Sequence, residues 1–527
     1  MSKCFNKVWT SLTGCLAIVV SPLVVFIRYI DVQKGVVVAP DNVRPRQTYW
    51  GLSCFSCLFF MWGLAYGLLD IMNYHIKVIL GTTRREAAYL ALGYYFAYPV
   101  GSLLVGGPVL KRMGYRFGAV LGLIILASGM MFMSLGAANL TMPGMTGAHF
   151  VVGIGVSLLE RTANPYAVNC GPRSGGPTRI LFAQSWAAVG TIVAPILANL
   201  AIFDHTTNSQ APVYDPLNPR KCLMPEPPKG DAAQLNSVVS FYRYTSSSVF
   251  ALSLILLTLF YRTHLVVEIE IPLSPPTSQP WKLWTHPLLS RRFSRLWYAV
   301  FANALNLGCQ VTIAQFFMEH LRVNACQPQQ TSAHFMMLAQ ILFLLGRILA
   351  WLLTLPLWHR HPLTRHLFKS RHILMFFLLA AVAFTAAGTF ASSTPAIAAI
   401  CLVMFFEAPS FPMIFESATA GADLYAPAAE SVMITSIMGG GLLPLLTGLI
   451  VDRAGVSAAW SLATVSFGVV ATYAVACNVV PGYRRALDFE HGELGAEDAG
   501  VRVDSEPGLA DNPEMRAVAP VPVEERK

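Results

Sequence analysis

Recurring apolar runs constrain this chain more than any other feature. About 20 apolar residues span the ~30 Å hydrocarbon core of a bilayer, and windows of that length recur twelve times. Backbone polar groups in lipid must bond within their own segment, so each window predicts a helix. The windows are 49–73, 87–110, 115–137, 147–169, 178–203, 239–261, 296–318, 332–357, 373–392, 396–416, 431–451 and 456–480.

Composition supports the same interpretation. The chain is 54% hydrophobic and 12% charged, with a mean hydropathy of +0.53, which is more apolar than a soluble fold of this length normally is. Its net charge of +9 resembles that of a nucleic-acid-binding protein, but most basic residues lie at the ends of apolar runs. Membrane topology explains that placement, so we predict a lipid bilayer as a partner and no nucleic acid.

A long gap between windows divides the chain into two sets of six. It covers residues 262–295 and contains five prolines and several arginines. We therefore predict an all-α membrane protein of twelve transmembrane helices in two pseudo-symmetric halves. The predicted regions are an N-terminal segment at 1–47, a first half at 48–261, a cytoplasmic central loop at 262–295, a second half at 296–480 and a disordered cytoplasmic tail at 481–527.

A repeated spacing relates the two halves. Glu160 precedes Pro165 by five residues in the fourth window, and Glu407 precedes Pro412 by five in the tenth. Many transporters consist of two such repeats, with the binding site near the middle of the membrane.

Loop charges predict the orientation. If residue 48 is cytoplasmic, most basic loop residues face the cytoplasm, as the positive-inside rule requires. The first outer loop, with Lys77, Arg84 and Arg85, is an exception. An extra apolar run at 11–27 is open to three interpretations, namely a signal-like region, a thirteenth span or an interfacial segment.

Two acids inside apolar windows identify the candidate site. Asp70 lies in the first window and Glu160 in the fourth. A charge near the bilayer centre costs at least ~2.5–3.5 kcal/mol, so it is retained chiefly where it faces a protein interior or a wet cavity. Desolvation disfavours a charged carboxylate, which lets such a group take up and release protons. Pairing of Glu160 with Arg161 is poor, because adjacent residues on a helix do not face each other.

Several ordered motifs resemble one known family. The chain contains WGLAYGLLD at 62–70, ERTANP at 160–165 and AQ at 183–184, and further matches include LGR at 345–347, FPMIF at 411–415 and GGGLLPLLTG at 439–448. Together they resemble the L-fucose/proton symporter branch of the major facilitator superfamily, over residues 50–480. The resemblance implies that Asp70 serves proton uptake and that Glu160 binds sugar and also exchanges a proton.

The same resemblance suggests a set of sugar-binding residues. Sugar hydroxyls need amide and carboxylate partners, and the apolar face of the ring needs aromatic cover. For the amides the alternative is hydrogen bonding between helices, and for the aromatic residues it is core packing. The set is Glu160, Asn164, Gln184, Gln310, Trp62 and Tyr66.

Three positions depart from the family pattern. The chain has Gly67 and Ala187 where the family has asparagines, which removes hydrogen-bonding capacity from the pocket, so the sugar it carries need not be fucose. Glu407 is acidic where the family is apolar. It is either a third titrating group or a structural acid.

The segment GGPVLKRMGYRFGAV at 106–120 resembles the superfamily loop between helices two and three. Gly114 allows a tight turn there, and Lys111, Arg112 and Arg116 supply charges for a gate latch. The alternative is simple positive-inside anchoring.

Other motifs carry less chemistry. We interpret the Cys54–Cys57 pair as helix packing, and the loop at 359–366 as basic rather than metal-binding. Cys222 and Cys326 both fall in predicted outer loops, where a disulfide can form.

The sequence thus predicts a monomeric plasma-membrane transporter that carries a monosaccharide, such as fucose, galactose or glucose, with protons. The alternatives are a uniporter or exporter of another small polar solute and a nutrient sensor on the same fold. We expect no enzyme activity and no cofactor or metal, because no nucleophile–base pair, nucleotide loop or metal spacing is present.

Overall fold

The computed structural model describes residues 37–38, 42–80, 84–139, 141–198, 213–215, 218–223, 232–262, 266–269, 294–324, 326–327, 329–355, 357–358, 364, 367–391, 393–422 and 425–490. The first half contains six long helices. They are α1 (Pro45–Leu80), α2 (Arg84–Pro99), which continues as a π-helical segment at Val100–Gly106, α3 (Gly107–Ala138), α4 (Met142–Asn169), α5 (Gly176–Ala198) and α6 (Ala232–Arg262).

The second half repeats this pattern with more interruptions. It contains α7 (Ser294–Asn324), α8 (Gln329–Leu353), α9 (Ser370–Phe390), α10 (Ser393–Glu407), α11 (Ser410–Thr419), α12 (Ala426–Thr435), a 3₁₀ turn at Ser436–Met438, α13 (Gly439–Ala454) and α14 (Val456–Val479). A short helix, α15 (Pro481–Glu490), follows.

Each predicted window lies largely on these helices. Ten described segments are long and apolar enough to cross a membrane, and one of them, Tyr89–Ala138, is 50 residues long. Two predicted windows lie within it on either side of Gly114, whose φ of 79° breaks the helix there. The apolar helix α5 covers most of a further window.

The tenth and eleventh spans are discontinuous. Helix α10 ends at Glu407, and α11 begins after Pro409, whose ring removes a backbone donor and restricts the preceding residue. The eleventh span changes from α12 to α13 through the 3₁₀ turn. Broken spans of this kind bring side chains and backbone groups to the middle of a transporter.

Close helix contacts recur in equivalent places in the two halves. A Cβ on Gly63 of α1 would lie 1.9 Å from the carbonyl oxygen of Ala187 on α5. A Cβ on Gly439 of α13 would lie 2.1 Å from the carbonyl oxygen of Ala304 on α7. Both approaches require glycine, so in each half the first and fifth spans are in backbone contact.

The start of the predicted disordered tail is ordered, so that prediction is wrong for residues 481–490. Helix α15 packs with Leu487 buried, and the Asp488 carboxylate pairs with Arg371 at 3.0 Å and Lys369 at 3.4 Å. These contacts offset the acidity on which the prediction of disorder was based. Residues 491–527 and the apolar run at 11–27 lie outside the described residues.

Two short strand pairs flank the bundle. Strand β1 (Val37–Val38) pairs in parallel with β4 (Glu268–Ile269), which joins the chain before the first span to the chain after the sixth. Strands β2 (Val213–Asp215) and β3 (Asn218–Leu223) form an antiparallel pair. Cys326 is disulfide-bonded, while the side chain of Cys222 lies outside the described residues.

Candidate functional site

Glu160 is buried on α4 with 1% of its surface exposed. Its Oε1 accepts a hydrogen bond of 2.8 Å from the Tyr98 hydroxyl on α2. Its Oε2 is also buried and accepts no hydrogen bond from the described residues. The fourth span therefore presents an acid with one oxygen held in place and one available to a ligand.

Two predicted amides extend this acid into a network. Asn164 lies one turn after Glu160, and its Nδ2 donates to the Glu160 carbonyl oxygen at 3.1 Å. Gln184 on α5 donates from Nε2 to Asn164 Oδ1 at 2.7 Å. Gln184 Oε1 is buried and has no hydrogen-bond donor among the described residues. The network thus ends in a second acceptor that is available to a ligand.

The predicted aromatic pair lies on α1. The rings of Trp62 and Tyr66 are both half-buried, with centroids 6.4 Å apart and planes tilted by 38°. Trp62 Nε1 is buried, with no acceptor among the described residues. The indole ring of such a residue can cover the apolar face of a ligand, while its N–H group orients the ligand by a hydrogen bond.

Arg347 of α8 connects this network to the second half. Its guanidinium donates to the Gln184 carbonyl oxygen and, at 2.9 Å, to that of Ala408. It also interacts electrostatically with Glu160, Glu407 and Tyr66. In the sequence, Arg347 is distinguished only as part of the LGR motif at 345–347. The rule that identified the two acids, a lone charge in an apolar window, would also have identified this arginine.

The remaining predicted site residues are less closely connected. Asp70 lies on α1, but its side chain is outside the described residues. Gln310 is half-buried on α7 and makes no hydrogen bond to the Glu160 network within the described part of the chain. The structure thus brings Glu160, Asn164 and Gln184 together directly, and Tyr66 through Arg347.

Packing explains one departure from the family pattern. A Cβ on Gly67 would lie 2.7 Å from the Ala194 Cβ on α5. An asparagine there would therefore collide with α5. In this chain helix packing replaces the polar side chain of the family at that position.

The predicted gate loop is held within its own half. Gly114 has a left-handed φ of 79°, which agrees with the predicted tight turn. The backbone N–H groups of Tyr115 and Arg116 donate to the Glu268 carboxylate, and Arg116 Nε pairs with it at 3.0 Å. Burial raises the pKa of Glu268, while the hydrogen bonds from Tyr115 and Arg116 oppose that rise. Lys111 and Arg112 are exposed, and among the described residues the polar partners of Arg116 are Glu268 and the Phe260 carbonyl oxygen, neither of which belongs to the second half.

A different arginine joins the halves. Arg161 is buried and pairs through Nη1 with Glu430 of α12 at 3.0 Å. Its other nitrogens donate to the Ser431 hydroxyl and the Pro427 carbonyl oxygen, both at 2.7 Å. These contacts confirm that Arg161 does not pair with adjacent Glu160. The sequence did not identify Tyr98 or Glu430 as site residues. Nothing in the local sequence distinguishes Tyr98 from the neighbouring Tyr94 and Tyr95.

A two-part bundle of apolar helices with a buried polar network between its parts is the architecture of a secondary transporter. Residues 52–441 match the Major Facilitator Superfamily, and the chain belongs to that superfamily. It is therefore a multi-pass integral membrane protein and a transporter rather than an enzyme.

Two relatives whose substrates are named share less than a quarter of their residues with this chain. A glucose/galactose transporter of Brucella abortus (strain 2308) is 23% identical over 433 residues, covering 80% of this chain and 93% of the relative. The L-fucose-proton symporter of Escherichia coli (strain K12) is 22% identical over 433 residues, covering 81% and 92%. The crystal structure of FucP in the outward conformation superposes with a TM-score of 0.62 at 22% identity, covering 80% of this chain and 97% of FucP. At that identity the likeness shows the fold.

Proposed function

We propose that this protein is a proton-coupled symporter of a monosaccharide. One observation carries the proposal: Glu160 Oε2 and Gln184 Oε1 are buried acceptors without donors among the described residues, within one hydrogen-bonded network. Buried polar atoms normally have partners. A ligand rich in hydroxyl groups supplies donors of the required kind.

The neighbouring groups suit the same class of ligand. Trp62 and Tyr66 offer aromatic faces for the apolar side of a sugar ring. The named relatives are transporters of glucose and galactose or of L-fucose with protons, which supports this substrate class.

Protons enter the scheme through the two predicted acids. Glu160 accepts hydrogen bonds from the sugar, and Asp70 takes up the coupled proton. An acid removed from water binds a proton more readily than an exposed one, so it can load on one side of the membrane and release on the other. The plasma membrane is the expected location.

Alternating access requires the halves to separate on one side at a time. Arg161 and Glu430 form the inner gate in this scheme, because their ion pair joins the halves and must break when the inner side opens. The loop residues Gly114, Lys111, Arg112 and Arg116 brace the first half and anchor it at the cytoplasmic face.

Uptake of a panel of labelled sugars into proteoliposomes, with and without an inward proton gradient, tests the proposal. A symporter accumulates its sugar only with the gradient, a uniporter equilibrates it in both cases, and a sensor takes up none. Asp70→Asn should abolish accumulation while keeping exchange. Full accumulation by that variant would remove Asp70 from the proton path.

Binding measured by calorimetry tests the role of Glu160. Glu160→Ala should weaken sugar binding by about 1.5–3 kcal/mol, the range for a hydrogen bond to a charged group. Glu160→Gln should bind better than Ala, because it keeps an acceptor. The control is Glu416→Gln, which changes a buried acid of α11 outside this network and should leave sugar binding unchanged. Wild-type affinity in Glu160→Ala would show that the acid is structural.

A further inference from the structure

Glu407 is a buried acid that the proposed function does not yet use. It is the last residue of α10, directly before the break in the tenth span, with 4% of its surface exposed. Neither carboxylate oxygen has a hydrogen-bond donor among the described residues. A structural acid would be expected to have donors, because an unsatisfied buried group costs free energy. The absence of donors argues against the structural alternative.

Arg347 lies between this acid and Glu160. Its guanidinium donates to the carbonyl oxygen of Ala408, the residue after Glu407, and to that of Gln184, which belongs to the Glu160 network. It interacts electrostatically with both carboxylates. The two acids thus come from equivalent places in the two halves, each five residues before a proline, and share one cation.

Other elements around Glu407 supply no second cation among the described residues. From α7 the facing titratable group is the Cys309 thiol, whose Sγ lies 3.6 Å from the Ala463 carbonyl oxygen. From α9 the side chains that pack on the end of α10 are phenylalanines, including Phe377 against Phe405. From α8 the facing charge is Arg347 alone. Two ionised carboxylates beside one guanidinium would leave a net negative charge buried, which is costly.

We propose that Glu407 is a third proton-carrying acid, which shares the Arg347 guanidinium with Glu160 so that the two carboxyl groups hold one proton between them. This rests on the proton coupling proposed above. The buried group of three is then neutral in either of two forms, with the proton on Glu160 or on Glu407. The second half thereby gains a proton site opposite that of the first.

The exchange between these forms is balanced. A proton entering from one side adds to the Glu160 carboxylate and makes it a neutral acid. The O–H bond of the protonated Glu407 carboxyl group then breaks, its proton leaves, and Arg347 balances the carboxylate that remains. One proton enters and one leaves, and the charge of the group is unchanged. Movement of the guanidinium between acids on different halves would link protonation to the relative position of the halves.

Infrared difference spectroscopy of the purified protein at neutral pH, without sugar, tests this directly through the C=O stretch of protonated carboxyl groups. Glu407→Gln should lose one protonated carboxyl. Glu160→Gln should lose the same component, because Arg347 then pairs with Glu407 and ionises it. Arg347→Gln should gain a second protonated carboxyl, because neither acid then has a counter-ion. Glu416→Gln should keep the Glu160–Glu407 component.

Survival of the component in Glu407→Gln or in Glu160→Gln would overturn the sharing of one proton. Glu407→Asp keeps an acid and should restore the component, so a variant that merely misfolds is recognised. Because no sugar is present, failure here leaves the sugar assignment standing. Failure of the uptake panel would conversely leave these spectra valid.

Discussion

Two Arg–Glu ion pairs in this protein, one buried and one largely buried, have the same chemistry and different connections. Arg161 and Glu430 lie 3.0 Å apart, as do Arg116 and Glu268. The first pair joins α4 to α12 and therefore links the two halves. The second joins the start of the third span to β4, directly after the sixth span, and does not link the two halves. In the proposed scheme the first contact must break during transport, whereas the second moves with the first half.

This comparison supports Arg161 and Glu430 as the proposed gate. A superfamily loop motif directed attention to Arg116, yet the partner of Arg116 belongs to the same half. Arg161 was considered only as a poor partner for Glu160. The relevant criterion for a gate is which half supplies the partner, and that criterion favours Arg161.

The largest expected effect comes from Arg161→Ala. Removing one partner leaves Glu430 buried without its counter-ion, which costs about 3–5 kcal/mol. In the proposed scheme only the state closed on the inside has this pair, so the population should shift toward the inner-open state by about 10² or more. A cysteine at Thr178, whose hydroxyl bonds the Thr354 carbonyl oxygen across the halves, should then react faster with a thiol reagent.

Arg116→Ala in the same Thr178→Cys background is the matched control. Its labelling rate should equal that of the parent, since the Arg116–Glu268 pair does not cross the halves. Equal labelling in Arg116→Ala and Arg161→Ala would remove the distinction between gate and brace.

A smaller effect is expected from Glu268→Gln. The Tyr115 and Arg116 N–H groups use different carboxylate oxygens, and the amide keeps only one of these two acceptors, so the free energy of unfolding should fall by about 1–3 kcal/mol. Denaturation followed by intrinsic fluorescence measures this change. The labelling at Thr178→Cys should be unaffected, and a change there would mean that the brace also controls the gate.

The pH dependence of that difference is smaller still. Burial raises the pKa of Glu268 above its ordinary value of 4.5, so the folded state holds its proton more tightly than the unfolded state. Its contribution to stability is therefore greatest below pH 4.5 and is lost as the pH rises through the folded pKa. The wild type should lose up to about 1.4 kcal/mol per pH unit relative to Glu268→Gln over that interval. The opposite slope would show that the hydrogen bonds outweigh burial.

A last prediction concerns accessibility rather than stability. It tests on which side of the membrane the Arg161–Glu430 and Arg116–Glu268 pairs lie. A cysteine at exposed Pro143 should react with an impermeant thiol reagent added outside intact cells. A cysteine at Thr364 should react only after permeabilisation, with exposed native cysteines removed in both cases. The reverse pattern would put both ion pairs on the outer side and make Arg161 an outer gate.

The sequence predicted the helices well because hydropathy is a local property of each segment. It also brought Glu160, Asn164 and Gln184 into one set, since the family resemblance matches them to polar positions of the binding site. Partners far along the chain could not be predicted in this way. The bond from Arg161 to Glu430 crosses 269 residues, and the one from Arg116 to Glu268 crosses 152. Neither spacing leaves a periodic signal, so only the packed structure identifies these partners.

The pairing of β1 with β4 has a consequence for how the chain can be divided. It places the strand that precedes the first helix beside the strand that follows the sixth, so the two ends of the first half are hydrogen-bonded to each other. A break in the chain after Ile269 would leave the β1–β4 pairing intact, because both strands would stay in the first fragment. We therefore expect that the two halves can be produced as separate polypeptides, divided at this point, and assembled in the membrane.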